Sequence, residues 1–270
     1  MTLKGARIVR LFVVFAAILC GFEADAQDWT LRKFTQVDGL PGNKVNKVIQ
    51  DRKGVLWIAT TSGVATYDGR IFNRIPESDV LFGSPVKTVF EDSRGDIWFG
   101  TVRKGLVRKS GNSFTNYTTA DGLLSDNINV VNEDAQGRIW IGTPEGISVL
   151  DKQGKAASIT TAAGLSGNDI QDLLRDKRGR MWVASLGGLD LIERDKIQAV
   201  QCAPASTARI VYSLAQGSDG RIWAGTYHGV EVYDADELSG REYFTGSALR
   251  VHAVRPDRFG QVWVGTYGSG

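Results

Sequence analysis

From residue 45 onward the chain repeats one pattern of apolar and polar positions. It is read most easily from Trp57, Trp98, Trp140, Trp182, Trp223 and Trp263, which are spaced 41, 42, 42, 41 and 40 residues apart. Twelve residues before each stands an apolar β-branched residue (Val45, Val86, Ile128, Ile170, Val211, Val251). Nine before each stands another apolar one (Val48, Val89, Val131, Leu173, Leu214, Val254). These offsets predict a strand of about six residues. An Asp follows in four copies (Asp51, Asp92, Asp134, Asp176), and a Gly stands three residues further on in all six. Asp closes a turn on backbone N–H groups and Gly takes the positive φ that returns the chain, so the unit predicts a hairpin. The strand carrying Trp does not alternate; its continuous apolar run predicts cover on both faces. The small residue two past Trp (Ala59, Gly100, Gly142, Ala184, Gly225, Gly265) predicts a close neighbour there. A third strand is expected at 64–67, 106–108, 147–150, 189–192 and 230–233, and a fourth at 71–75, 114–117, 156–159 and 243–244. No capped helical period is present.

Four strands every forty or so residues, buried on both faces, predict an all-β fold, a β-propeller of four-stranded blades. The six repeats place blades at 36–77, 78–118, 119–160, 161–201 and 202–245, with an incomplete one at 246–270, and read as part of a seven-bladed ring. Leu31 and Phe34 precede Trp57 by the offsets at which Phe114 and Tyr117 precede Trp140. Residues 29–35 are therefore expected to form a strand that completes the last blade and closes the ring. Because the sixth repeat stops after two strands, the sequence is expected to be the first part of a longer protein. All six tryptophans are expected in the core between blades rather than on a sugar-binding surface.

Composition changes the picture mainly at the N-terminus. Lys4, Arg7 and Arg10 precede an apolar run from Leu11 to Phe22, and Ala24-Asp25-Ala26 offers a cleavage site. Residues 1–26 thus read as a signal peptide, with export across the inner membrane to the periplasm. The run is too short to span a bilayer, and Leu19 is too bulky to make Cys20 a lipid-bearing cysteine. Cleavage leaves 244 residues of net charge +1, which speaks against nucleic acid or an anionic membrane surface as partner. One cysteine remains, Cys202, so no intrachain disulfide is expected.

Gly39-Leu40-Pro41-Gly42-Asn43-Lys44-Val45 followed by Ile49 to Thr60 resembles the two-component regulator propeller repeat. Residues 122–143 and 164–185 resemble it nearly as well; the second, fifth and sixth copies lack the Gly-Leu lead-in, and the fifth has Gly217 for Asp. The resemblance implies a periplasmic sensor region of a hybrid histidine kinase or diguanylate cyclase. It also implies further propeller blades, an immunoglobulin-like domain, a membrane helix and a signalling output after it. Oligosaccharides are the implied ligands. A homodimer is compatible with the sequence.

His228 and His252 are the only histidines, and neither a metalloprotease motif, a nucleophile elbow nor a phosphate loop is present. No catalysis, cofactor or metal is expected in this segment. The alternatives are a lyase of the streptogramin type, which a Glu145 and His228 pair would imitate, and a structural propeller with protein partners alone. Binding has better candidates. Eleven residues before each Trp the position is polar: Asn46, Lys87, Asn129, Gln171, Tyr212 and His252. It lies on the strand expected beside the central channel, where water alone would also demand a polar lining. The turns after the Trp strands should place Arg103, Lys104, Glu145, Tyr227, His228 and Tyr267 near Asn43, Lys44, Asn127, Asn168 and Arg250 on one face. Loops around a rigid ring are where such folds keep their contacts.

Overall fold

A computed structural model describes residues 32–75, 81, 83–201, 209–236, 238, 240–245, 249–257 and 259–267. The expected signal peptide, Cys202 and residues 29–31 lie outside these. The described residues from Thr35 onward form one compact unit.

Five four-stranded antiparallel sheets and one two-stranded sheet follow in chain order. Blade 1 holds β1 (Val45–Gln50), β2 (Leu56–Thr60), β3 (Gly63–Tyr67) and β4 (Phe72–Arg74). Blade 2 holds β5 (Val86–Glu91), β6 (Ile97–Thr101), β7 (Leu106–Ser110) and β8 (Ser113–Tyr117). Blade 3 holds β9 (Val130–Glu133), β10 (Ile139–Thr143), β11 (Gly146–Leu150) and β12 (Ala156–Ile159). Blade 4 holds β13 (Ile170–Arg175), β14 (Met181–Ser185), β15 (Gly188–Glu193) and β16 (Lys196–Val200). Blade 5 holds β17 (Val211–Gln216), β18 (Ile222–Thr226), β19 (Gly229–Tyr233) and β20 (Gly240–Thr245), and the sixth repeat gives β21 (Val251–Pro256) and β22 (Val262–Thr266). The first strands of successive blades lie side by side and make the inner wall. The propeller is thus as expected, and β16 adds a fourth strand to blade 4 that was not among the expected ones.

The hairpin between first and second strands is held by its Asp. In blade 4, Asp176 Oδ1 accepts the N–H groups of Arg178 and Arg180, each at 2.9 Å, while Oδ2 accepts Trp182 Nε1 at 3.0 Å. Asp51, Asp92 and Asp134 do the same for Trp57, Trp98 and Trp140. Asp257 does so for Trp263, a fifth copy of the device beyond the four read from sequence. In blades 3, 4 and 5 an arginine two residues before Trp lies over the indole, with the guanidinium carbon of Arg138, Arg180 and Arg221 at 6.0, 5.9 and 5.7 Å from the ring.

The small residue after Trp is the hole in the seam. A Cβ on Gly142 would meet Val130 Cγ1 at 2.5 Å and, from the next blade, Ile170 Cγ2 at 2.7 Å. Gly100 meets Ile128 in the same way. Ile128, Ile170 and Val251 are therefore knobs that fill the preceding blade's hole. Gly142→Val should cost about 1–3 kcal/mol through overpacking, read as a lowered urea midpoint; an unchanged midpoint would remove this account of the seam.

Two expectations fail at the ends of the array. Trp263 was expected in the core but is 57% exposed, whereas Trp182 is 0% exposed. Among the described residues no further first strand lies over Trp263. Likewise Val48 is 49% exposed and its counterpart Val89 only 1%, because no Trp strand precedes β1 among the described residues. The expected strand at 29–35 is also not seen where it is described, since residues 32–35 are in no strand. Thr35, itself extended, caps a 3-10 turn, Gln36–Asp38, with reciprocal bonds to Asp38. The same turn leads into blades 3 and 4 at Thr119–Asp121 and Thr161–Ala163. In each, the lead-in Gly takes positive φ and the following Leu40, Leu123 or Leu165 is buried.

Candidate functional site

The turn after each Trp strand is set by the hydroxyl that ends that strand. Thr143 Oγ1 donates to Gly146 O at 2.8 Å and accepts Glu145 N–H at 3.1 Å. Thr226 does the same with Gly229 and His228, and Thr101 with Gly105 and Lys104. Arg103, between them, is held at φ 70° and is exposed. Backbone bonds then join these turns to the residues that lead into the first strands. Leu186 N–H donates to Asp169 O, Tyr227 N–H to Ile210 O and Tyr267 N–H to Arg250 O, at 3.0, 3.2 and 2.9 Å. The two sets of loops thus share one face.

The polar position eleven before Trp has a backbone cause that the sequence hides. It is a β-bulge: the pairing slips by one residue at Asn46, Lys87, Gln171, Tyr212 and His252. In blade 3, Asn129 stands just before β9 and donates its N–H to Gly142 O at 2.9 Å. An unpaired extra residue turns its side chain away from the ladder, and here toward the next blade. Asn46 Nδ2 donates to Val86 O at 2.7 Å and Lys87 Nζ to Asn129 Oδ1 at 2.6 Å. Asn129 Nδ2 donates to Ile170 O at 2.8 Å, and Gln171 Nε2 to Asp169 Oδ1 at 2.6 Å. Asp169 was not among the sequence candidates, although it shares the offset of Lys44, Asn127 and Arg250 from their tryptophans. Burial lifts the Asp169 carboxyl above its ordinary value, helped by the nearby Glu145 and opposed by Gln171, Lys87 and Asn129. Asn43 and Asn168 are committed elsewhere, their Oδ1 atoms accepting the N–H groups of Gln36 and Thr161.

Around blades 5 and 6 the same face turns aromatic. Tyr212 stacks on His252 with ring centres 4.2 Å apart and planes at 17°. His252 in turn lies 5.6 Å from Tyr267. Arg250 places its guanidinium 4.8 Å over the Tyr227 ring and donates Nη2 to the Tyr227 hydroxyl at 3.2 Å. Tyr227 meets His228 edge-on at 5.0 Å. Burial, and then Arg250, push the His252 imidazole below its ordinary value. One arc is therefore amide, lysine and carboxylate, and the other is a stack of rings edged by a guanidinium. Glu145 and His228 sit in equivalent turns two blades apart and do not bond each other through any contact among the described residues. Those residues also contain no cluster of three or more metal-ligating side chains.

These features define a repeat propeller with a loop face that varies from blade to blade. Five segments, 39–62, 81–103, 122–145, 164–187 and 206–228, match the two-component regulator propeller model. The chain belongs to that family. Histidine kinase P4 of Formosa agariphila is 30% identical over 60 residues, which are 22% of this chain and 4% of that protein. The extracellular domain of a hybrid two-component system of B. thetaiotaomicron shares the fold at TM-score 0.72 and 20% identity, over 84% of this chain and 33% of that one. Virginiamycin B lyase of Staphylococcus aureus shares it at TM-score 0.66 and 15% identity, over 82% and 77%. The chain thus spans a third of the extracellular domain it matches and a small part of the kinase.

Proposed function

We propose that this chain is a ligand-sensing segment of an extracytoplasmic receptor, periplasmic and without catalysis of its own. Its ligand is an oligosaccharide, bound on the loop face. The observation that carries the reading is the stack of Tyr212 on His252, with Tyr267 tilted against it, beside the Arg250–Tyr227 pair. Flat rings next to fixed hydrogen-bonding groups suit the apolar faces and hydroxyls of sugars. The family match, and the likeness to an extracellular sensor domain, support a signalling role with an immunoglobulin-like and an output domain as covalent partners. The lyase likeness is one of fold, and the separation of Glu145 from His228 by a blade favours the binding reading.

Screening the purified chain against an oligosaccharide array and titrating the best hit by calorimetry tests this. Tyr227→Ala and His252→Ala should each weaken binding by roughly ten-fold or more, as loss of a stacking ring or a desolvated anchor does. A hit whose affinity is the same in both variants, or no hit at all, would remove the reading.

A further inference from the structure

At the opposite end of the strands, where the Asp-x-x-Gly hairpins lie, a groove opens between blades 3 and 4. One part, of about 510 Å³, is walled by Trp140, Val149, Ala157, Ile159, Ile192 and Ile197. The other, of about 540 Å³, continues past Trp140 and Ile192 to Arg138, Arg178, Arg180 and Arg194. Each lies in the size range of small-molecule sites, about 300–1,000 Å³.

The apolar part exists because of one cross-strand row. Trp140, Val149 and Ala157 stand opposite one another on β10, β11 and β12. The same row reads Trp98, Arg108, Thr115 in blade 2 and Trp182, Leu191, Gln198 in blade 4. Blade 3 alone of these tapers to an alanine, and the space beside its indole stays open.

The other part has more donors than acceptors. Asp134 is taken up by Trp140, Arg138 and two backbone N–H groups. Arg180, with only 9% of its side chain exposed, bonds Asp176 through Nε at 2.7 Å, but its buried Nη2 has no partner. A buried donor left unpaired costs about 1–3 kcal/mol. Arg194 is exposed, held at φ 50° in the β15–β16 turn, and bonds nothing among the described residues. Arg138 Nη2 reaches Asp195 only at 3.8 Å. Glu193 and Asp195 stand exposed at the outer lip.

We infer that this groove is a second binding site, separate from the loop face, and that it takes a small aromatic carboxylate. The ring lies along Trp140, Val149 and Ala157, and the carboxylate meets the guanidinium groups of Arg180 and Arg194, an acceptor geometry that arginine matches with paired bonds. Calorimetry of the full chain with 2-naphthoate as probe tests it. One-to-one binding is expected, roughly ten-fold weaker for uncharged 2-naphthylmethanol and for Arg194→Glu, as loss of a charge-assisted bond implies. Ala157→Phe, on an exposed outer-strand position, should abolish it, while Tyr227→Ala should leave it unchanged, which separates this site from the loop face. Absence of binding at millimolar 2-naphthoate overturns the inference. So does undiminished binding in Arg194→Glu, or in Ala157→Phe folded by circular dichroism.

Discussion

Trp182→Ala should destabilise the propeller by about 3–5 kcal/mol, the range for removing a large, fully buried aromatic. Trp182 is wholly buried. Its ring lies 6.4 Å from that of Tyr233 in blade 5, and the surrounding cluster joins Val211 and Leu214 of that blade to Leu189 and Leu191 of its own. Removing the indole opens a void shared by two blades, so neither can close it alone. Trp263→Ala supplies the internal control: more than half exposed, it should cost well under half as much. Urea unfolding followed by circular dichroism reads both. Equal losses at the two positions would show that the indole works within its own hairpin and not between blades.

The second large effect is expected at the partner of that indole. Asp176→Ala leaves Trp182 Nε1, two backbone N–H groups and the Arg180 guanidinium without their acceptor in a buried site. Breaking one side of such a buried pair costs about 3–5 kcal/mol. Asp257→Ala, whose Trp263 bond is exposed and 3.3 Å long, should cost about 1 kcal/mol or less because water replaces the lost acceptor. The pH dependence follows in sign. Burial alone would raise the Asp176 carboxyl, but the bonds from Trp182 and Arg180 outweigh it and hold it below its ordinary 3.8. The folded state therefore favours the ionised form. That stability is fully present above the unfolded value and is lost as pH falls through the folded one. Wild-type protein should lose stability steeply below about pH 3.8, and Asp176→Ala less so, since it has already lost that contribution. Parallel acid profiles for the two would count against the assignment.

Most of the fold was legible because the repeat states its first two strands six times and its third five times. The Asp-x-x-Gly hairpin, the unbroken apolar strand and the small residue after Trp each report a local constraint, and the structure meets each one. Legibility failed where a residue's neighbour comes from elsewhere in the chain. Trp263 has the same local pattern as Trp182, yet the cover over an indole comes from the next blade. Residues 32–35 have a strand-like spacing but are in no strand, whereas the equivalent residues 114–117, followed by the same capping box at Thr118, are a strand because β7 lies beside them.

The loop face was partly legible. The offset from Trp picked out the channel-side positions without revealing that they are bulges, because a bulge leaves no residue signature when its side chain varies from Asn to Lys to His. Asp169 joins them through its bonds from Gln171 and Asn129.

By itself, then, the period near forty residues determined the blade, the hairpins and the seam, since these depend on spacing within one repeat and on its immediate successor. Only the tertiary structure decided which indoles are covered, which polar residues join across blades, and that Tyr212 stacks on His252 beside Tyr267. Those facts depend on contacts between residues some forty positions apart, and no local pattern encodes the distance between two side chains that the ring alone brings together.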